Sequence, residues 1–552
     1  MKTSPDWLAD AIFYQIYPSS FADSNGDGIG DLPGIIGKLD YLESLGINGL
    51  WLSPCFLSPF KDGGYDISDF RQVDPRYGTN ADLKELFDHA HQRGIKVVLD
   101  LVAGHTSTEH PWFKASCKAG KNAYSNYYIW NDDWLDDGDS MAMINGYAER
   151  NGQFAINFFS SQPALNYGFA KPNPEHPWQL PVDHPDVLRV GQELRDIMRF
   201  YLDMGCDGFR VDMAPSLIKK DPGRVENIKF WQCIRRWFDE EFPDRVLISE
   251  WSYAPQALEA GFHIDFMIFF GTPAYTSLFR NETKRDIFHH VPKKIFYEQD
   301  GNDYSVTNPH SFFDSRGLGD FSTFAKIYVD HYQKTKHLGY ISVPSGNHDL
   351  PRLNDRRSPE DLKVIFAFLL TMPGMPFIYY GDEIGMKNVP GLVSKEGGYT
   401  RTQCRTPMQW DDTLNCGFSS APHENLYLPV DEADGRPTVS AQEADEQSLL
   451  HTVRELCNLR HAHTALQGNG EIEFVCLEPN HPMIAYVRRT ADEQILVILN
   501  PKGEAQRSVI PLSFSASRIQ LLAGQCECLS TDKNELACAM PGQSYAIINM
   551  KN

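Results

Sequence analysis

The feature that most limits what this chain can fold into is a rhythm. Short runs rich in β-branched and aromatic residues alternate with amphipathic helical stretches. Ala11–Tyr17, Gly49–Leu52 and Lys96–Val102 read as strands. Leu32–Leu45 and Asn80–Arg93 read as helices, closing near Gly46 and Gly94 as a helix C-terminus prefers. The alternation resumes with helix Val187–Met204, strand Gly208–Ala214, helix Val225–Glu241 and strand Val246–Trp251. Asp265–Phe270, Ile341–Pro344 and Pro376–Tyr380 read as later strands. Repeated strand-then-helix units imply an α/β fold with a parallel sheet, and this many fit a (β/α)8 TIM barrel better than an open sheet.

The rhythm breaks twice. Residues 105–184 are rich in Asn, Gly, Trp and Pro and show no period. An insertion of this size after the third strand would rise from the C-terminal rim, where such barrels carry their sites. After Gly468 the pattern turns to short alternating strands (Met483–Arg488, Ile495–Asn500, Ile519–Leu522, Ser544–Met550), the mark of an antiparallel β-sandwich. The expected organisation is therefore barrel (1–104), inserted subdomain (105–184), barrel again (185–467) and C-terminal sandwich (468–552). Lys395–Pro437, turn-rich and aperiodic, reads as a long loop after the eighth strand.

Composition removes several classes of function. Lys+Arg 51 against Asp+Glu 73 gives a net charge of −22, with no basic stripe, which argues against nucleic acid as partner. Residues Met1 to Trp7 lack the basic-then-apolar pattern of a secretory signal. No run approaches the roughly 18 apolar residues of a membrane span; Val364–Leu370 soon meets Pro373-Gly374 and reads as a buried helix before a strand. The 11 cysteines are odd in number and scattered, as expected of reduced thiols in a cytoplasm. Cys526-Glu527-Cys528 lacks a second pair at zinc spacing.

Three carboxylates stand at expected strand ends in unusual polar company. Gly208-Phe209-Arg210-Val211-Asp212 closes strand four, and strand alternation puts Arg210 and Asp212 on one face. An arginine there favours the ionised form that a carboxylate nucleophile requires. Glu250 closes strand five, and Asn347-His348-Asp349 follows strand seven. In a barrel these converge on one mouth, with His105 after strand three. Facing carboxylates imply glycoside chemistry: Asp212 suits the nucleophile and Glu250 the acid/base, with Asp349 holding sugar hydroxyls. Crowding carboxylates raises the pKa of the least stabilised one and keeps an acid protonated.

These residues resemble the α-amylase superfamily of retaining glycoside hydrolases, family 13, over nearly the whole chain. Asp100–His105, Gly208–Asp212, Ile248–Trp251 and Asn347–Asp349 match its four best-known segments in order, and Gln162–Asn166 matches a fifth. Ala11–Phe21, Gly64–Ile67, Tyr379–Glu383 and Arg405–Trp410 place it nearest the α-glucosidases and oligo-1,6-glucosidases, with trehalose synthases nearby. The resemblance implies Asp212 as nucleophile, Glu250 as acid/base and Asp349 as transition-state stabiliser. It also implies a glucose pocket of Asp62, Tyr65, His105, Arg210, His348 and Arg405. Tyr65 offers a ring for stacking, Asp62 and Arg405 would grip the 4- and 6-hydroxyls, and the two histidines would donate near the reacting carbon.

Asp23-Ser24-Asn25-Gly26-Asp27-Gly28-Ile29-Gly30-Asp31 offers oxygen donors at alternate positions with glycines for the turn, as a hard cation is wrapped. A similar loop in the family's α-glucosidases implies structural Ca²⁺, with Mg²⁺ the alternative, held by Asp23, Asn25, Asp27, the Ile29 carbonyl and Asp31. The competing reading is a run of Asx turns without metal. A second calcium site, common in family amylases, has Gly104, Ala164 and Ser216 at its ligand positions and is expected to be absent. No organic cofactor is implied.

The reading is an exo-acting α-glucosidase on small neutral α-glucosides, with no nucleic-acid or membrane partner. Two others stand beside it. Met213-Ala214-Pro215 resembles the trehalose synthases, which suggests a transglucosidase or disaccharide isomerase using the same intermediate. A non-catalytic carbohydrate-binding or transporter-accessory barrel is opposed by the intact carboxylates. Met213 matches neither common pattern for linkage preference, so linkage stays open.

Overall fold

The structure is a computed structural model describing residues 4–268, 273–280, 298–299, 302–303, 310–476, 481, 483–513, 518–532 and 534–551. The end of the expected strand Asp265–Phe270 (269–270) and Met1 to Thr3 lie outside the described residues. Eight parallel strands form the barrel: β1 Phe13–Ile16, β2 Gly49–Leu52, β3 Lys96–Val102, β4 Gly208–Asp212, β5 Val246–Ser249, β6 Ile264–Phe266, β7 Tyr340–Ser342 and β8 Phe377–Tyr379. They pair in sequence order from β1 to β7, and β8 pairs with β1. The Ser345 N–H, donating to the Phe377 carbonyl at 2.9 Å, joins the β7 side to β8. The strands are two to three residues shorter than several of the sequence runs, because the flanking residues already turn into loops.

Strand alternation fills the barrel in layers. Near the strand N-termini the inward residues are hydrocarbon: Phe13, Trp51, Val98, Ile248, Phe266 and Phe377 share one buried cluster. Phe13 and Phe377 stack with centroids 4.5 Å apart. One or two inward positions further along stand Gln15, Asp100, Arg210 and Asp212, all buried. The interior therefore changes from apolar floor to charged layer within a few residues. Gly208 starts β4 because a Cβ there would lie 2.1 Å from the Val246 carbonyl oxygen.

The helices largely follow the sequence pattern: Asn80–Gln92, Pro185–Met204 and Val225–Glu241 cover the barrel wall, and Pro359–Thr371 is buried as expected. The exception is Leu32–Leu45, which breaks into Leu32–Ile36 and Leu39–Ser44. Gly34 and Gly37 weaken the helix, and Gly34 is required where a Cβ would meet the Ala22 carbonyl at 2.1 Å.

Within residues 105–184 the chain forms a helix, Pro111–Ser116, and a small antiparallel sheet of Trp130–Asn131, Gln153–Ala155 and Met143–Asn145. Its base is tied to the barrel rim by Leu165 N–H to the Gly104 carbonyl (3.1 Å) and the Tyr167 hydroxyl to the Ala103 carbonyl (2.8 Å).

The C-terminal strands are β9 Glu471–Cys476, β10 Ile484–Arg489, β11 Gln494–Asn500, β12 Gln506–Pro511, β13 Arg518–Gly524, β14 Glu527–Asp532, β15 Glu535–Met540 and β16 Ser544–Lys551. They form a five-stranded antiparallel sheet, β9-β10-β11-β16-β13, and a three-stranded one, β12-β15-β14. The larger sheet has two apolar faces. Ala485, Val487, Leu496 and Ile498 pack with the smaller sheet, while Ile484, Tyr486, Ile495, Val497 and Leu499 belong to the barrel's core. At this seam the Arg488 guanidinium donates to the carbonyls of Gln467 (2.7 Å), Gly470 (3.0 Å) and Thr371.

Candidate active site

Arg210, 1% exposed, is the hub of the charged layer. Its Nη1 donates to Asp100 Oδ1 and Asp212 Oδ1, both at 2.9 Å, and its Nη2 lies 2.9 Å from Glu250 Oε2. Asp100 Oδ2 accepts from Trp51 Nε1 (3.0 Å) and the Tyr65 hydroxyl (2.9 Å). Glu250 Oε2 also accepts from the Met213 N–H at 2.9 Å. Met213 has φ 42° and ψ 42°, a left-handed turn directly after β4 that aims its N–H at that carboxyl.

Burial pushes the Asp212 carboxyl up to about 6 and Glu250 up to about 8. Arg210 opposes both shifts, and the Asp212 charge adds to the rise at Glu250. Glu250 beside it acts in turn to hold Asp212 lower. The physical outcome is a pair that holds one proton, kept on Glu250.

Asp349 is the opposite case. Burial acts to raise it, but His348, Arg401 and Arg405 outweigh that and hold the carboxyl well below the usual range. Arg401 Nη1 and Arg405 Nη2 both donate to Asp349 Oδ1, at 2.7 and 2.9 Å. Arg401 Nη2 reaches across to Asp62 Oδ1 at 3.2 Å, and Gln162 Nε2 donates to Asp62 Oδ2 at 2.7 Å. Burial lifts Asp62 to about 6 against these cations.

The rings are held as firmly. His348 stacks on Tyr65, with centroids 5.1 Å apart and planes 10° from parallel. Gln15 Nε2 donates to His348 Nδ1 at 2.9 Å, so the ring proton sits on Nε2, which lies 3.4 Å from Asp349 Oδ2. Burial lowers His348 to about 3 and His105 to about 4, so both are neutral. His105 Nε2 lies 3.0 Å from the Tyr65 carbonyl, and its Nδ1 accepts from Asn157 Nδ2 at 3.1 Å. Its N–H must leave the Tyr65 carbonyl before it can meet a sugar.

The structure thus brings Asp212, Glu250, Asp349, Asp62, Tyr65, His105, Arg210, His348 and Arg405 to one mouth. It adds one residue. Arg401, not Arg405, makes the direct contact with Asp62, and Arg405 instead holds the His348 carbonyl (2.8 Å) and Asp349. Arg401 was missed because it lies in the aperiodic segment after strand eight, on the short helix Tyr399–Cys404. The signal available was its spacing, four residues before Arg405 in one turn-rich stretch. Gln15, Trp51 and Asn157 were missed because each is a lone polar or aromatic residue in sequence.

The metal-loop residues lie apart from this mouth. Asp23 accepts from the N–H groups of Asn25 (3.0 Å), Gly26 (2.8 Å) and Gly28 (2.8 Å) and from the Ser419 hydroxyl (2.6 Å). Asn25 and Asp27 each accept one backbone N–H, that of Asp27 and of Ile29 respectively. Asp31 caps the helix Leu32–Ile36 through Gly34 N–H (2.7 Å) and accepts from Ser24. The donors are all oxygen, which suits a hard cation, yet no group of three or more His, Cys, Asp or Glu able to hold a metal forms among the described residues. Beside Gly104 and Ser216, at the second calcium position, Lys219 supplies a cation of its own: its Nζ lies 3.2 Å from Asn157 Oδ1 and donates to the Ser216 carbonyl. Burial lowers that ammonium to about 8.

A closed parallel barrel whose C-terminal mouth gathers several coupled carboxylates around one arginine defines the class: a glycoside hydrolase. The alpha-amylase catalytic-domain family model matches residues 15–469, and the chain belongs to that family. It is similar to the oligo-1,6-glucosidase of Parageobacillus thermoglucosidasius, 33% identical over 545 residues and 90% of each chain. It is similarly close to the trehalose synthase/amylase TreS of Mycobacterium tuberculosis strain H37Rv, 32% identical over 531 residues, 89% of this chain and 81% of the relative. The solved trehalulose synthase MutB of Pseudomonas mesoacidophila MX-45 superposes with a TM-score of 0.79 at 25% identity, covering 100% of both chains.

Arg210→Lys tests the hub. An ammonium cannot serve three carboxylates in the guanidinium's fixed fork, so the variant should lose about 3 kcal/mol of stability and most glycosidase activity. Unfolding by denaturant, followed by fluorescence, measures the first; an unchanged midpoint would show that Arg210 is not the hub.

Proposed function

We propose that the protein is a retaining, exo-acting α-glucosidase that removes terminal glucose from disaccharides and short oligosaccharides. The observation that carries this is the Asp62–Arg401–Asp349 bridge: two carboxylates and a guanidinium close one side of the pocket with groups suited to a sugar's terminal hydroxyls. Asp212 attacks the anomeric carbon as the Glu250 proton passes to the leaving oxygen. Glu250, now a carboxylate, takes a proton from water, whose oxygen displaces Asp212 and frees glucose with its α-configuration. Asp349, kept anionic, holds ring hydroxyls, and Tyr65 offers its face to the sugar. Small neutral glucosides fit a site whose own charges pair internally, and eleven scattered cysteines, an odd number, support a reducing, cytoplasmic location.

A second reading is favoured by the trehalose synthase relatives and by the Met213-Ala214-Pro215 turn: the glucosyl–Asp212 ester is intercepted by a sugar rather than by water. Time-resolved product analysis with maltose, isomaltose, sucrose, trehalose, p-nitrophenyl α-glucoside and starch separates the two. We expect free α-glucose from the short substrates. Conversion of a disaccharide to its isomer with little glucose would replace the first reading by the second.

The pH dependence follows from the carboxyl pair. Asp212 must be ionised and Glu250 protonated in the free enzyme, so kcat/KM should rise through about 6 and fall through about 8. Glu250→Gln, assayed with p-nitrophenyl α-glucoside, should lose the alkaline limb. Survival of that limb would remove Glu250 as the acid.

For the loop 23–31 we propose structural Ca²⁺, with Mg²⁺ the weaker ligand, on the strength of the oxygen-only donor set. Added Ca²⁺ should raise Tm by a few degrees over chelator-treated protein, and Asp27→Ala should abolish the rise. No response to either ion would leave the loop as a run of Asx turns.

A further inference from the structure

The pairing of β5 with β6 stops at Ser249 and Asp265, one residue before Glu250. On its other side Glu250 is still in the ladder, its N–H donating to the Val211 carbonyl of β4 at 3.0 Å. The backbone that carries the Glu250 carboxyl is therefore held by a main-chain bond toward β4, while toward β6 the next N–H groups need other acceptors.

A side chain supplies them. Ile264 and Phe266 belong to the apolar floor inside the barrel, so strand alternation turns Asp265 between them to the opposite face, behind the mouth. There it is 1% exposed. Its Oδ1 accepts from the Ser249 hydroxyl at 2.6 Å, the Trp251 N–H at 3.1 Å and the Ser252 N–H at 3.3 Å. The residues on both sides of Glu250 thus converge on one oxygen. Ser252 has φ 62°, in the left-handed region that favours glycine, and its bond to Asp265 helps to hold the turn there. A carboxyl in this place is costly: burial pushes it up to about 7 against the pull of those donors. Because it faces away from the reacting groups, what it governs is where the Glu250 backbone stands.

We propose that Asp265 is a positioning residue for the proton donor. By gathering Ser249, Trp251 and Ser252 onto one oxygen, it fixes the peptide of Glu250 and so the reach of its carboxyl to the leaving oxygen. This rests on the reading of Glu250 as the acid. A loosened Glu250 delivers its proton poorly, which penalises a leaving group that needs the proton and spares one that does not.

Two substrates measure this: the disaccharide that the wild type consumes fastest, whose sugar must be protonated as it leaves, and α-glucosyl fluoride, whose fluoride departs without that help. kcat/KM reports the steps up to departure of the leaving group, and the ratio between the two substrates in one preparation does not depend on the fraction folded. Asp265→Ala should lower kcat/KM for the disaccharide by about a hundredfold and for the fluoride by less than about threefold. Asp265→Leu, which keeps the layer behind the strand filled, carries the same expectation should Asp265→Ala fail to fold. Asp265→Asn keeps an acceptor oxygen and should recover the disaccharide value to within about tenfold of wild type. Equal losses on both substrates in Asp265→Ala or Asp265→Leu would make Asp265 a purely structural group and overturn the proposal. So would a split in Asp265→Asn as large as in Asp265→Ala, since charge rather than the gathered bonds would then be what matters. Glu250→Gln is measured alongside. If it shows no split, Glu250 is not the acid and the underlying reading fails; a split there with none at Asp265 sinks only the positioning role.

Discussion

One guanidinium governs the arrangement of the carboxylate mouth. Arg210 is buried over the Trp51 ring, 5.0 Å from its centroid, and meets three carboxylates, two on β3 and β4 and one directly after β5. Charges placed directly above an apolar floor are costly unless paired and hydrogen-bonded. The pairing is lopsided: one positive group faces three acids. Two consequences follow from that excess. A proton must be retained somewhere in the layer, and the acid least favoured by hydrogen bonds, Glu250, retains it. The acids also become mutually sensitive, so a change at any one alters the others. Asp349 escapes this shortage because two further arginines, from the loop after β8, are committed to it.

The barrel was legible in the sequence for a simple reason. Strands buried on both faces are continuous apolar runs, and Gly49–Leu52 and Lys96–Val102 begin and end in the structure where those runs do. The carboxylates of the mouth were legible as candidates because they interrupt such runs at their ends. Leu32–Leu45 misled because its apolar period survives across a break made by Gly34 and Gly37, where backbone proximity outweighs periodicity. Arg401 was illegible because loops have no period, and its role comes from contacts with Asp62, 339 positions away, and Asp349.

The metal loop shows another limit. Alternating Asp and Asn with glycine describes a cation loop and a chain of Asx turns equally well, since both use the same short acceptors. In the structure those acceptors face backbone N–H groups, and Asp31 doubles as a helix cap.

The larger sheet of the C-terminal domain, with one face in each of two cores, has a consequence for how the protein is made. β16 lies between β11 and β13, so residues up to Lys551 sit inside the sheet rather than at its edge. Ile547 of that strand belongs to the barrel's own core. A ribosome therefore cannot release a finished barrel and add the sandwich afterwards. The barrel wall stays partly uncovered until the β16 segment has emerged, and its apolar surface is open to aggregation across that whole interval of synthesis.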